Sequence, residues 1–136
     1  MSGLQSSELV EIFRADERIL VAYMFGSRSR GLQMLESDTD VAVLLSTLPE
    51  DALDLYLDLV DRLSRVVGGP VDLVFLNAAP LLLRHQVIKH GRVLFSRDEA
   101  ARVKFETRSI KEYMDFRPRS EEYDEALVEE ASKWKG

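Results

Sequence analysis

Residues 19–25 read Ile-Leu-Val-Ala-Tyr-Met-Phe and end at Gly26. A run this short with no polar face suits a strand better than a helix. A strand apolar on both sides must be covered on both sides, so helices have to flank its sheet. Residues 38–45 have the same character, with Val41, Ala42, Val43, Leu44 and Leu45 following Asp38 and Asp40. Residues 71–76 supply a third strand with a single acid, Asp72, and 93–95 a short fourth. Helical spacing fills the intervals. Ser7 is placed to cap a helix over 8–16, and 27–35 suits a short helix interrupted at Gly31. Pro49 opens a long helix whose buried stripe is Ala52, Tyr56, Leu59, Leu63 and Val66, and Gly68, Gly69 and Pro70 close it. Pro80 starts a helix that Gly91 ends. Asp98 caps the next one, which carries Val103, Thr107, Ile110 and Met114 on one face and stops before Pro118. The expected class is α/β (α+β), a small mixed sheet flanked by helices.

A chain of 136 residues has room for one ordinary domain. That domain is expected over 1–117, and 118–136 as an acidic C-terminal helix or tail. If the tail is helical, Tyr123, Leu127, Ala131 and Trp134 share one side. The absence of cysteine excludes a disulfide scaffold, a Cys-ligated zinc or iron–sulfur site and a Cys nucleophile. His85 and His90 are the only histidines, too few for a multi-histidine metal centre. No apolar run approaches the ~18 residues of a membrane span. Residues 1–7 lack the basic and apolar regions of a signal peptide, so a cytoplasmic domain is expected. The net charge of −6 argues against a general nucleic-acid binder. The charge is uneven: residues 81–119 hold 10 basic and 5 acidic side chains, and 120–136 hold 2 and 6. A basic stretch of this kind can meet a phosphate, an acidic partner or simply solvent.

The informative residues are three carboxylates near strand starts. Asp38 and Asp40 are two apart, so their side chains leave the same face with Cα atoms roughly 7 Å apart. Asp72 joins them if its strand lies alongside, at the usual spacing of about 4.8 Å. Carboxylates crowded in this way need a cation to stay ionised, and an all-oxygen donor set selects Mg²⁺ or Mn²⁺ over zinc. An Asp-x-Asp pair alone also suits an ordinary polar strand entry. The second element is Gly26-Ser27, between the first strand and the short helix. Glycine lets a phosphate approach the backbone, and free N–H groups at a helix start with the Ser27 hydroxyl make an anion site. Arg28 and Arg30 add positive charge beside it. A phosphate cradle with metal-binding carboxylates points to a nucleoside triphosphate carried as its Mg²⁺ complex.

These residues also carry a resemblance. Gly26-Ser27, ten residues, then Asp38-Thr39-Asp40 is similar to the Gly-Ser-x10-Asp-x-Asp signature of the polymerase-β-like nucleotidyltransferases. The string Phe-Gly-Ser-Arg-Ser-Arg-Gly over 25–31 resembles the minimal nucleotidyltransferases, with Ser29 where that group often has Ala. Asp72 in Pro-Val-Asp-Leu-Val fits the family's third carboxylate, and the likeness extends over roughly 8–115. With no second substrate domain, the chain looks most like the MntA-type antitoxins of HepT/MntA toxin–antitoxin pairs. The resemblance implies a nucleotidyltransferase fold and transfer of AMP from ATP to a tyrosine of a HEPN-domain toxin. It implies that Asp38 and Asp40 hold two Mg²⁺ ions, and that Asp72 binds the catalytic ion and helps deprotonate the acceptor hydroxyl. Gly26 and Ser27 would cradle the triphosphate, with Arg28 and Arg30 as phosphate contacts.

Two further functions fit the same residues. One is an antitoxin that neutralises its toxin by binding alone, the other a transferase acting on a small molecule. Small-molecule transferases of this type usually carry an additional acceptor domain, for which the chain has little length. A template-directed polymerase fits less well, given the negative charge.

Overall fold

The computed structural model describes residues 3–26 and 39–116. In chain order the elements are α1 (Gly3–Ala15), β1 (Ile19–Phe25), β2 (Thr39–Leu45), α2 (Ala52–Val67), β3 (Val71–Phe75), a 3-10 turn (Leu76–Ala78), α3 (Leu81–His90), β4 (Arg92–Ser96) and α4 (Glu99–Phe116). The sheet order is β3-β2-β1-β4. β1 runs antiparallel to both β2 and β4, while β2 and β3 are parallel. The sheet is therefore mixed and flanked by helices, as expected. Among the described residues, no helix is long and apolar enough to cross a membrane.

The two central strands are buried on both faces, which explains their unbroken apolar runs. Alternate side chains separate into two cores. Ile19, Ala22, Val41, Val43, Leu45, Val71 and Leu73 pack with Leu9 and Phe13 of α1 and Leu55, Leu59 and Leu63 of α2. Val21, Tyr23, Phe25, Ala42 and Leu44 pack on the other face against Val87 and Leu83 of α3 and Phe105 of α4. Burying a Leu or Phe side chain of this kind contributes about 1.5–3 kcal/mol relative to exposure.

Polar groups tie the layers at the sheet end remote from Gly26. Asn77 accepts from the Leu45 N–H at 2.9 Å and donates to the Leu45 carbonyl at 2.8 Å. Arg97 Nε donates to the Ile19 carbonyl at 2.9 Å, and the Arg97 backbone N–H to Leu20 at 2.7 Å.

Several local expectations hold. Gly68 ends α2 in the left-handed region (φ 78°), its N–H donating to the Ser64 carbonyl at 2.8 Å. Asp98 caps α4, accepting from the Ala101 N–H at 3.1 Å. Three local readings need correction. α1 begins at Gly3, so Ser7 lies inside the helix rather than at its cap. α2 begins at Ala52 with Asp51 as N-cap, because the chain makes a turn at Pro49, whose carbonyl accepts from the Ala52 N–H at 3.2 Å. Val103, Thr107, Ile110 and Met114 do share a face of α4, but that face is exposed. The inward face of α4 instead presents Phe105, Glu106 and the fully buried Ser109. The short helix expected over 27–35 and the tail over 118–136 lie outside the described residues.

Candidate active site

The parallel ladder between β2 and β3 pairs Asp40 with Asp72 directly. Residues paired across a ladder project from the same face, with strands about 4.8 Å apart, so the two carboxylates are neighbours. Asp40 is half-buried and Asp72 exposed. By strand alternation both lie on the face carrying Ala42, Leu44 and Val74, the side covered by α3 and α4.

On the other side of β2, the antiparallel ladder pairs Asp40 with Phe25, the last residue of β1. Gly26 follows with φ 79°, a conformation that side chains other than glycine rarely adopt. A Cβ built on Gly26 would stand 2.1 Å from Asp40 Oδ2 and 3.1 Å from Asp40 Cγ. Glycine therefore does two things here. It allows the left-handed turn out of β1, and it leaves the space that the Asp40 carboxylate fills. Gly26, Asp40 and Asp72 thus form one corner of the sheet, made by the end of β1 and the starts of β2 and β3.

Of the seven residues singled out from sequence, these three are brought together. Ser27, Arg28, Arg30 and Asp38 lie outside the described residues. Among the described residues, no group of three His, Asp or Glu side chains converges as a metal cluster. The donor set at the corner is two hard carboxylates, which fits a hard divalent cation and not a soft one.

One polar network near the corner was not signalled by any motif. Tyr23, 2% exposed and two residues before Phe25, donates from its hydroxyl to Glu106 Oε2 at 2.8 Å. Arg102 Nη1 donates to the same Glu106 oxygen at 3.0 Å and also pairs with Glu99. Burial, reinforced by the Glu106 carboxylate, pushes the Tyr23 phenol well above the ordinary tyrosine range. Two hydrogen bonds from Arg102, and a third from Ser96, hold Glu99 down to about 2. Tyr23 thus pins α4 to the strand that leads into Gly26. Its signal in the sequence is only a hydroxyl inside an apolar run.

A sheet of this topology, with a glycine turn packed on a strand-borne carboxylate pair, is the framework of a nucleotidyltransferase. The model of the family described as polymerase beta, nucleotidyltransferase matches residues 7–100, and the chain belongs to that family. Nucleotidyltransferases of this kind use ATP and a divalent metal ion. Among its relatives is the protein adenylyltransferase MntA of Shewanella oneidensis, 33% identical over 98 residues, covering 70% of this chain and 68% of the relative. In solved structures, the chain is similar to one from a toxin–antitoxin pair crystallised with AMP-PNP, with TM-score 0.72 and 26% identity over 93% of this chain and 98% of that one. It is also similar to one from the complex of a tri-AMPylated Shewanella oneidensis HEPN toxin with its MNT antitoxin. There the TM-score is 0.69 and the identity 25%, over 97% of this chain and 99% of that one.

Proposed function

We propose that this chain is a protein adenylyltransferase that moves AMP from ATP to a hydroxyl, specifically a tyrosine hydroxyl, of a HEPN-domain (HepT-type) toxin, and so acts in the cytoplasm as that toxin's antitoxin. The observation that carries the reading is the Asp40–Asp72 ladder pair beside a left-handed turn at Gly26, where a side chain would strike the Asp40 carboxylate. The likeness to the MntA relative and to a chain crystallised beside an AMPylated toxin supports the choice of acceptor.

In this reading Asp38, Asp40 and Asp72 hold Mg²⁺. Bound there, the metal neutralises charge on the attacking and leaving oxygens. Gly26 and Ser27 receive the triphosphate, and Arg28 and Arg30 contact its oxygens. The acceptor oxygen forms a bond to the α-phosphorus, the bond from that phosphorus to the bridging oxygen breaks, and pyrophosphate leaves. Asp72 takes the hydroxyl proton, which a phenol of pKa about 10 does not give up readily at neutral pH. The exposure of Asp72 suits that task, since a protein-borne hydroxyl has to reach it. The test is incubation with ATP labelled in its α-phosphate, Mg²⁺ and the HEPN partner. Label should appear on the partner, and none should appear when Asp40→Asn replaces the natural chain.

A further inference from the structure

The outward faces of α2 and α4 carry one pattern with opposite charge. On α2, Leu53 is 69% exposed and Leu57 56%, and the half-buried Val60 and Ser64 continue their row. Asp54, Asp58 and Asp61, all exposed, run beside it. Fifty residues later α4 repeats the arrangement. Val103, Ile110 and Met114, between 43% and 52% exposed, form a row with Thr107, and the exposed Lys104, Arg108 and Lys111 run beside it. At about 100° per residue, each charged row lies on the same side of its apolar row. Asp54, Lys104, Arg108 and Lys111 make no ion pair with another described residue. Asp58 and Asp61 pair only with Arg62 and Arg65, one turn further on, and all four side chains are more than half exposed. Exposed pairs of that kind contribute little and exchange readily for others.

We infer that α4 of one chain docks on α2 of a second copy, so that the protein associates with itself head to tail. Three observations select this occupant. The first is placement. The complementary charges belong to one chain but cannot meet within it, because α2 packs on one face of the sheet through Leu55, Leu59 and Leu63, and α4 on the other through Phe105. The second is sign. Two α4 faces, or two α2 faces, would set like charges together, which disfavours a two-fold pairing of the same face. The third is register. Charged rows on the same side of two helices meet only when the helices pack antiparallel. In that arrangement Met114 lies against Leu53 and Ile110 against Leu57. Lys111 then reaches Asp54, Arg108 reaches Asp58 and Lys104 reaches Asp61. A contact between two different faces leaves one of each free at the ends, so the assembly grows beyond a pair unless it closes into a ring. The contact uses neither the catalytic corner nor a HEPN partner.

The test is sedimentation of the full chain over a range of concentrations, without nucleotide or partner protein. The natural protein should pass from monomer to larger species as concentration rises, and less so in high salt. Lys104→Glu, Arg108→Glu and Lys111→Glu made together should weaken association at least about tenfold, because they set like charges across the contact. Asp54→Lys, Asp58→Lys and Asp61→Lys made together should do the same. An equimolar mixture of the two triple variants should associate again, since each then meets the opposite charge. All six positions are exposed, so the fold survives the changes. Lys89→Glu with Arg92→Glu alters two exposed cations outside both faces and should leave association as it is. A natural protein that stays monomeric would overturn the inference, and so would triple variants that associate as it does. A mixture that does not recover, or an equal loss in the Lys89 and Arg92 variant, would overturn it too.

Discussion

Gly26 and Asp40 occupy space that a single methyl group would contest: the Cβ that Gly26 lacks would lie 2.1 Å from Asp40 Oδ2. No van der Waals contact is that short, so any side chain at 26 has to move the carboxylate. The Gly-Ser element is usually considered for what it offers a phosphate. Here it also fixes where a strand-borne carboxylate can stand.

Gly26→Ala is therefore expected to damage activity more than stability. Strain at a positive φ costs on the order of 1–3 kcal/mol. Displacing the Asp40 carboxylate by about 1 Å is enough to cost roughly 10²-fold in rate. Transfer assays and thermal melts on the same variant check this. A variant that melts several degrees lower but transfers at the natural rate would contradict the positional role.

The Asp40–Asp72 pair predicts a metal-linked stability. A cation that binds only the folded chain raises its melting temperature with concentration. Mg²⁺ should do so for the natural protein and far less for Asp40→Asn or Asp72→Asn. Without metal, either substitution should leave stability unchanged or slightly raised, because it removes one of two neighbouring like charges. Calorimetry across a Mg²⁺ titration measures both effects.

Tyr23 gives a prediction on the alkaline side. Its phenol is raised in the folded chain, so its contribution is fully present below the unfolded value of about 10 and is lost as pH rises beyond it. Tyr23→Phe should cost about 1.5–3 kcal/mol at neutral pH, the scale of a hydrogen bond to a charged group. It should also flatten the fall in stability above about pH 10. Urea unfolding at neutral and alkaline pH provides the comparison.

The acid side is governed in part by Asp16. The side-chain hydrogen bond from Arg18 lowers its pKa, against an opposing push from burial. The stability it adds is present above the unfolded carboxylate value and is lost as pH falls through the lowered folded one. Asp16→Asn should therefore lose stability at neutral pH and less at low pH, as acid unfolding curves would record.

Much of this architecture is legible in the sequence because burial on both faces leaves only one reading for 19–25 and 41–45. Asp72 is legible as a site residue because it is the single acid of an otherwise apolar strand, and that strand lies beside the one carrying Asp40. The orientation of α4 is not legible. Its most apolar stripe, Val103–Ile110–Met114, faces outward, while its inward face carries polar side chains. Glu106 forms an ion pair there with Arg102 and accepts a hydrogen bond from the Tyr23 hydroxyl, and Ser109 accepts from Arg84 at 3.3 Å. Periodicity locates a helix but cannot tell a paired polar face from a wet one. The start of α1 is missed because Ser7 has the chemistry of a cap, whether or not the helix begins beside it.

Asp72 is where chemistry and recognition separate most cleanly. It is exposed at the sheet corner, and one carboxylate is a small part of the roughly 800 Å² per partner that a stable protein–protein contact covers. One measurement on Asp72→Asn therefore tests the central claim: pull-down of the HEPN partner and transfer of label from α-labelled ATP, read on the same sample. The account predicts normal binding with transfer reduced by at least about 10²–10⁴-fold, the cost of losing a proton acceptor. Undiminished transfer would contradict it, and so would full neutralisation of the toxin with no nucleotide attached.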